Sequence, residues 1–188
     1  MKILIFLITL FSAAFSAVLN TATKYDPVWL ASVENFPMVR TTNFTKDFWS
    51  LIYDVHVEFR LFTRQNPDKY QVLETDNPAM LNDSFFNKDL PIKVLTHGWY
   101  NNGSSPMPVN IKEAYLNVSD LNIIVVDWAS AANVNYVSAS YNVASVGRHL
   151  TWFLNFLITE GVSMYDVHLI GHSLGAHVVG IAGAFVEK

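Results

Sequence analysis

The clearest alternation of hydrophobic and polar positions runs from Tyr53 to Phe62. Successive side chains of a strand point to opposite faces, so this alternation separates an apolar face from a polar one. We therefore predict a half-buried strand, antiparallel to its neighbour or at a sheet edge, with His56 exposed to solvent. Before it, the stretch from Val18 to Asn43 has no period and is interpreted as an extended arm.

Continuous apolar runs predict strands that are buried on both faces. Leu121–Val126 is such a run, and we predict two further strands at Pro91–Thr96 and Val167–Ile170. Apolar residues recur at helical spacing in other stretches, which predicts helices. These are Val109–Val118, Asn142–Ile158 with a stop signal at Gly161, and a small-residue pattern that ends at Phe185. The stretch from Gln65 to Lys88 carries two Asn-Pro pairs and is interpreted as loop and turns.

Strands that alternate with helices predict an α/β fold. Connections between parallel strands are right-handed, so we expect a mostly parallel sheet with helices on both faces. In such a sheet the carboxyl ends of the strands line the ligand crevice. Candidate chemistry is therefore sought where the strands end.

The last predicted strand is followed at once by Gly171-His172-Ser173-Leu174-Gly175 and then by a helix. This Gly-x-Ser-x-Gly turn between a strand and a helix is the pattern of a nucleophile elbow, in which a serine stands at the apex of a sharp turn. Gly171 and Gly175 have no β-carbon, so strand and helix can approach closely there. The amino terminus of the helix also favours developing negative charge.

Two earlier strands end in polar corners on the same predicted edge. One corner is His97-Gly98-Trp99 and the other is Asp127-Trp128. Ester hydrolysis by a serine needs an oxyanion hole, which the amide after the nucleophile and an amide from an earlier loop normally form. The backbone N–H groups of Leu174 and Trp99 are the candidates. The alternative is that His97-Gly98 only terminates a strand.

The amino terminus has the features of a secretory signal peptide, which we place at residues 1–16. Met1-Lys2 supplies a positive charge, a short apolar run follows, and Ala14 and Ser16 are small residues at the expected cleavage site. The run is too short for a comfortable membrane span, and no later stretch is apolar enough for one. We expect a secreted chain of residues 17–188, with no transmembrane segment after cleavage. Four Asn-x-Ser/Thr sites are glycosylation candidates: Asn43, Asn82, Asn102 and Asn117.

Composition narrows the chemistry further. The 188 residues contain no cysteine, which excludes thiol catalysis and cysteine–zinc sites. A net charge of −4 without a cluster of basic residues argues against nucleic acid as a partner. No His/Asp/Glu spacing suggests a metal site, and no cofactor is expected.

The motifs Thr96-His-Gly-Trp99, Val125-Val-Asp-Trp128 and Gly171-His-Ser-Leu-Gly-Ala-His177 resemble those of the pancreatic-lipase family of α/β-hydrolases, and most closely its secreted insect members. The resemblance covers about residues 50–188. It implies an α/β-hydrolase fold and hydrolysis of lipid carboxylic esters at a lipid–water interface, of the triacylglycerol lipase or phospholipase A1 type. It also implies Ser173 as nucleophile, with the Trp99 and Leu174 amides as oxyanion donors. The family includes yolk-protein relatives without the serine, so a non-catalytic lipid-binding protein is the alternative.

The chain departs from the family pattern after the serine. In α/β-hydrolases an acid and then a histidine follow the nucleophile, whereas only His177 and then Glu187 follow Ser173 here. We therefore expect a fold truncated after the elbow helix, lacking the triad acid and base. An elbow serine points away from its helix, which makes His177 a poor base, and His172 faces away from the apex. For Asp127, which precedes Ser173, a structural hydrogen-bonding role is the favoured interpretation.

Overall fold

The computed structural model describes the backbone of residues 2–6 and, in full, residues 55–187. The signal-cleavage site after Ser16, the arm from Val18 to Asn43 and the sequon at Asn43 lie outside the described residues. The described part contains one mixed sheet with the strand order β1-β6-β4-β5-β2-β3. Its strands are β1 (Lys2–Phe6), β2 (Glu58–Phe62), β3 (Gln71–Leu73), β4 (Ile92–Thr96), β5 (Asn122–Asp127) and β6 (Val167–His172).

Most of the sheet is parallel, which confirms the predicted fold class. Strands β1, β6, β4 and β5 run in one direction, and β2 is antiparallel to both β5 and β3. The prediction of an antiparallel strand with His56 exposed is therefore confirmed, although the strand begins only at Glu58. The strands β4, β5 and β6 end together at one rim of the sheet.

Helices cover both faces of the sheet. Helix α2 packs on one face through Leu116, against Ile123 and Val125 of β5. Helices α4 and α5 pack on the other face, where Phe153 stacks on Phe59 with ring centroids 4.0 Å apart. The helices are α1 (Pro78–Asn82), α2 (Pro106–Val118), α3 (Ala129–Ala132), α4 (Tyr136–Thr159) and α5 (Leu174–Phe185), with a 3₁₀ turn at Met164–Asp166.

The stretch from Gln65 to Lys88 was predicted as loop and turns, and that prediction is wrong in part. It contains the short strand β3 and helix α1. A three-residue strand is too short to show a period. The helix begins because the Asn77 side chain accepts a hydrogen bond from the Met80 amide at 3.0 Å, with Pro78 tolerated in the first turn.

Helix α4 is longer than its apolar period indicates. It begins at Tyr136 rather than Asn142, because Asn135 caps it by accepting the Ser138 amide at 3.0 Å. Its first turns are exposed apart from the buried Ala139, and so carry no apolar stripe. The predicted stop is confirmed: Gly161 has φ +90°, and the Val162 amide donates back to Leu157 O at 3.0 Å.

Strand β1 belongs to the stretch that the sequence predicts as a signal peptide. Lys2–Phe6 lies parallel to β6, with Lys2 opposite His168 and Phe6 opposite His172. Removal of residues 1–16 stays a prediction. It would expose the edge of β6, the strand that leads into the elbow.

Candidate active site

The elbow is a one-residue junction between β6 and α5. Strand β6 ends at His172, α5 begins at Leu174, and the exposed Ser173 stands between them. Its backbone has φ +53° and ψ −123°, a left-handed conformation that L-residues rarely adopt. Such strain costs about 1–3 kcal/mol and persists only where the surroundings impose it.

The close packing at the elbow glycines imposes this backbone conformation on Ser173, because it leaves no room for a side chain at either glycine. A β-carbon at Gly171 would lie 2.3 Å from Gly175 O and 2.6 Å from the Ala176 α-carbon, so β6 and α5 are in backbone contact. A β-carbon at Gly175 would lie 2.4 Å from His97 O and 2.5 Å from Thr96 O. Helix α5 therefore rests on the end of β4 as well as on β6.

The loop after β4 touches the serine. A β-carbon at Gly98 would lie 2.9 Å from the Ser173 β-carbon and 3.0 Å from His172 O. The next residues are anchored to the chain after β5: the Trp99 indole donates to Val134 O at 2.8 Å, and the Tyr100 amide donates to Ala132 O at 3.2 Å. The structure thus brings His97-Gly98-Trp99 and Ser173 together, although they are far apart in sequence.

Leu174 is the first residue of α5, and its N–H is one of the amides at a helix start that lack an intrahelical acceptor. Ser173 O already accepts the Ala176 amide at 2.9 Å, which fixes the first turn. The first turn also holds no acidic side chain. An anion beside Ser173 would therefore meet an uncompensated helix amino terminus.

Behind the loop lies a buried polar network centred on Asp127. One carboxylate oxygen, Oδ1, lies 3.2 Å from His97 Nε2 and accepts the Ala129 amide at 3.0 Å. The other, Oδ2, pairs with Arg60 Nη2 at 2.8 Å, and Arg60 Nε donates to Glu58 at 2.6 Å. Asp127 thus has the structural hydrogen-bonding role that the sequence interpretation favoured.

The network keeps Asp127 ionised. Burial alone would raise the pKa of its carboxyl group. Hydrogen bonding to His97 and to the amides of Ala129 and Gly103, together with the charge of Arg60, instead lowers that pKa to about 2. A carboxylate that stays charged at neutral pH with these partners is suited to holding neighbouring groups in place rather than to transferring protons.

Sequence reasoning missed Arg60 and Gly103. Arg60 lies on the polar face of β2, which alternation marks only as solvent-facing. A β-carbon at Gly103 would lie 2.7 Å from Arg60 Nη1 and 3.1 Å from Asp127 Oδ2, so the glycine allows the loop to close over this pair. One signal could have indicated this contact: Arg60 lies on β2, the strand that pairs with β5 and aligns Glu58 with Asp127.

Three imidazoles lie near the elbow in sequence or in space. His97 is 1% exposed, and both of its ring nitrogens have partners, so it cannot receive the Ser173 proton. His172 is half-buried directly before the serine. His177 lies on α5, where burial lowers the pKa of its imidazole. The positions of these three histidines therefore do not identify the base that would take the proton of Ser173.

Aromatic rings are exposed beside the loop. Trp99, Tyr100 and Tyr136 expose 38%, 69% and 53% of their surface, and the Trp99 ring meets the other two edge to face at 5.5 and 5.3 Å. Exposed apolar surface grouped in this way marks an interaction site more often than isolated apolar residues do. The three sequon asparagines that the structure describes, Asn82, Asn102 and Asn117, are also exposed.

A family model named Lipase matches residues 31–188 of the chain. The chain belongs to the lipase family. Its relatives are pancreatic lipases, which confirms the resemblance and, with it, the α/β-hydrolase fold expected from the motifs. The grouping with secreted insect members stays a prediction.

Curated relatives share a little over a third of the aligned residues. Pancreatic lipase-related protein 2 of Mus musculus is 37% identical over 135 residues, which is 71% of this chain and 28% of that protein. Pancreatic triacylglycerol lipase of Myocastor coypus is 35% identical over 130 residues, 69% of this chain and 28% of that protein. Inactive pancreatic lipase-related protein 1 of Homo sapiens is 34% identical over 131 residues, with the same shares. The chain thus spans little more than a quarter of these relatives' length.

The described residues contain neither a metal-binding cluster nor a membrane-spanning helix. In residues 2–6 and 55–187 there is no group of three or more His, Cys, Asp or Glu side chains that could hold a metal ion. Within the same ranges, no helix has the length and apolar character needed to cross a membrane.

Proposed function

We propose that this chain carries the nucleophile half of a secreted serine hydrolase that cleaves lipid carboxylic esters. The single observation that carries the proposal is the contact between the two motifs: the strained, exposed Ser173 lies against Gly98 of the loop after β4. Neither a strand-terminating turn nor a chance Gly-x-Ser-x-Gly requires that contact. Membership of the lipase family gives the class of bond.

In the proposed reaction Ser173 Oγ attacks the ester carbonyl carbon, and its proton passes to a base. The carbonyl oxygen becomes an oxyanion that the Trp99 and Leu174 amides bind. Collapse of the tetrahedral intermediate breaks the carbon–oxygen bond while the base returns its proton to the leaving oxygen, which releases the alcohol and leaves an acyl-serine. Water then attacks the acyl carbon, which releases the carboxylic acid and restores the Ser173 hydroxyl. We assign the base and its orienting acid to residues outside these 188, because only His177 and then Glu187 follow Ser173, the reverse of the order in which an α/β-hydrolase carries its acid and histidine.

The substrate proposal follows from the surface around the serine. The exposed rings of Trp99, Tyr100 and Tyr136 offer an apolar surface for an acyl chain at a lipid–water interface. A triacylglycerol and a phospholipid share that chemistry, so we propose lipase or phospholipase A1 activity without choosing between them. Secretion after cleavage at residue 16 and glycosylation at the exposed sequons belong to the same proposal.

A lipid-binding protein without turnover is the second candidate. One observation favours it: a relative matched over 69% of this chain is named inactive, so the aligned region does not by itself imply turnover. On this view the same aromatic rim binds acyl chains, while Ser173 has no chemical role.

Hydrolysis of p-nitrophenyl acyl esters separates the candidates. The assay compares the protein secreted from its natural gene with its Ser173→Ala variant, and with the 188-residue chain alone. We expect serine-dependent turnover by the secreted protein, a loss on the order of 10⁴-fold or more in Ser173→Ala, and little activity from the 188-residue chain. Lipase-like turnover by the 188-residue chain would contradict the assignment of the base. Acyl-chain binding without turnover in any sample would favour the lipid-binding protein.

A further inference from the structure

His97 is buried directly behind the loop that touches Ser173, and its ring approaches its own neighbour. Its Nδ1 lies 3.0 Å from Gly98 O. A carbonyl oxygen only accepts hydrogen bonds, so Nδ1 must carry the proton and donate it. The charge of the ring does not change this bond, because Nδ1 is protonated both in the imidazolium and in the neutral tautomer that it selects.

The other ring nitrogen is held from two sides. Nε2 lies 3.1 Å from the Trp128 amide and 3.2 Å from Asp127 Oδ1. It accepts from the Trp128 amide when the ring is neutral and donates to the carboxylate when the ring is charged. The ring also stacks on Trp128, with centroids 5.3 Å apart and planes 10° apart. Register explains the placement: Thr96 pairs with Val126, so His97 and Asp127 follow side by side.

The hydrogen bond from His97 to Gly98 O fixes the whole peptide group between Gly98 and Trp99. The Gly98 carbonyl and the Trp99 N–H belong to the same peptide plane, and no peptide bond in the described chain is cis. In a trans peptide the C=O and N–H point in opposite directions. A carbonyl directed at the buried His97 ring therefore directs the Trp99 N–H away from that ring, in the loop that contacts Ser173 at Gly98.

We propose that His97 is the positioning residue of the oxyanion hole. Its Nδ1–H locks the Gly98–Trp99 peptide in the orientation that presents the Trp99 amide to the oxyanion, and Asp127, Arg60 and Trp128 hold the ring in place. Without the lock the peptide is free to rotate, and a carbonyl turned towards the serine would repel the oxyanion. The catalytic consequence rests on the proposed function, whereas the lock itself does not.

Three substitutions separate the lock from simple packing. His97→Asn places an amide NH₂ near the position of Nδ1, so it keeps the donor to Gly98 O. His97→Gln carries its amide near the position of Nε2, so it keeps contacts with Asp127 and Trp128 but loses that donor. His97→Phe keeps the ring on Trp128 and loses both. If His97 only packs against its neighbours, His97→Phe should be the least disruptive variant. If His97 fixes the orientation of the peptide, His97→Asn should be the least disruptive one.

The first measurement needs no turnover. In the secreted protein, labelled with ¹³C and ¹⁵N, the Gly98 carbonyl and Trp99 amide resonances report the bond and the peptide orientation. We expect both to stay near their wild-type positions in His97→Asn and to shift in His97→Gln and His97→Phe. Should His97→Phe not fold, the Asn and Gln variants decide the question alone. Unchanged resonances in His97→Gln, or equal shifts in His97→Asn and His97→Gln, would overturn the proposal.

The second measurement tests the consequence in the secreted protein. Loss of one oxyanion donor lowers kcat on the order of 100- to 1000-fold. We expect that loss in His97→Gln, an unchanged KM, and recovery of most of the turnover in His97→Asn. A rise in KM with kcat preserved would contradict positioning of the oxyanion donor. A wild-type protein without turnover would refute the proposed function while leaving the resonance result to decide the lock.

Discussion

Helix α5 holds glycines in opposite surroundings in its first turn and near its middle. At Gly175, in the first turn, a β-carbon would lie 2.4 Å from His97 O, in the loop after β4, and 2.5 Å from Thr96 O, at the end of β4. At Gly180, later in the same helix, nothing lies within 4 Å of a β-carbon. The residue type and the helix are the same, so the difference comes from what packs against each position.

The crowding at the amino-terminal end of α5 has a geometric result. Backbone meets backbone at Gly171, Gly175 and Gly98, and these contacts together set the position of Ser173 relative to the loop. Helix propensity favours alanine over glycine everywhere in α5. The glycine in the first turn therefore lowers the local stability of the helix, but it allows the helix to approach the neighbouring backbone closely. The glycine at 180 gives up the same stability with no visible gain in packing.

The largest effect is expected when that close approach is removed. Gly175→Ala inserts a methyl group between α5 and the backbone of Thr96 and His97, and neither side is a flexible side chain. Overpacking of this kind destabilises by about 3 kcal/mol, and it moves the elbow away from the loop. The free energy of unfolding in urea measures the effect. A change below about 1 kcal/mol would mean that the contact is loose.

The polar network behind the loop gives a pH-dependent test of the same region. The pKa of Asp127 is about 2 in the folded chain, compared with about 3.9 for an unfolded aspartate. The carboxylate therefore stabilises the fold above pH ~4, and that contribution, about 2 kcal/mol, is lost as the pH falls towards 2. We expect Asp127→Asn to be less stable than the wild type at pH 6. Between pH 4 and 2 its free energy of unfolding should lack the fall that the wild type shows, as measured by urea unfolding between pH 6 and 2.

The exposed Asp120 provides the matched control. Asp120→Asn has no buried partners to lose, so its stability should follow the wild-type curve through the acid range. If Asp127→Asn kept the wild-type slope below pH 4, the network would not be the source of acid sensitivity.

Much of the rim was predictable from sequence, and the reason is local. The elbow and the buried strands β4, β5 and β6 are each encoded by a short contiguous stretch of sequence. The apolar pattern and the turn residues were therefore sufficient to predict them. Strand β3 and helix α1 were missed because each is too short to carry a period. The edge pairing of β1 with β6 was missed because an apolar run at the amino terminus reads as a signal peptide.

The network around Asp127 shows what sequence patterns leave out. Arg60 and Asp127 are far apart in sequence, and they meet only because β2 is antiparallel to β5 with Glu58 opposite Asp127. Alternation places Arg60 on the polar face but does not indicate that the 99–105 loop covers that end of the strand. Strand register decides such contacts, and a single sequence does not specify it.

Strain at the apex should be measurable as stability recovered. Ser173→Gly removes the β-carbon from a backbone with φ +53°. Relief of about 1–3 kcal/mol of strain exceeds the entropic cost of a glycine, about 0.5–1 kcal/mol, so we expect a net gain of about 1 kcal/mol. Ser173→Ala keeps the β-carbon and should gain nothing. Equal stability of the two variants in urea would show that the serine conformation is not strained.

The smallest effect is expected at the open glycine. Gly180→Ala adds a methyl group where no atom lies within 4 Å, so only helix propensity changes, and we expect a gain of about 0.5–1 kcal/mol. The sign matters more than the size, because it is opposite to that for Gly175→Ala in the same helix. Combined in one protein, the two changes should add, since the positions share no contact and lie more than a turn apart. A destabilising Gly180→Ala would mean that the carboxyl-terminal half of α5 is packed by parts of the protein outside the described residues.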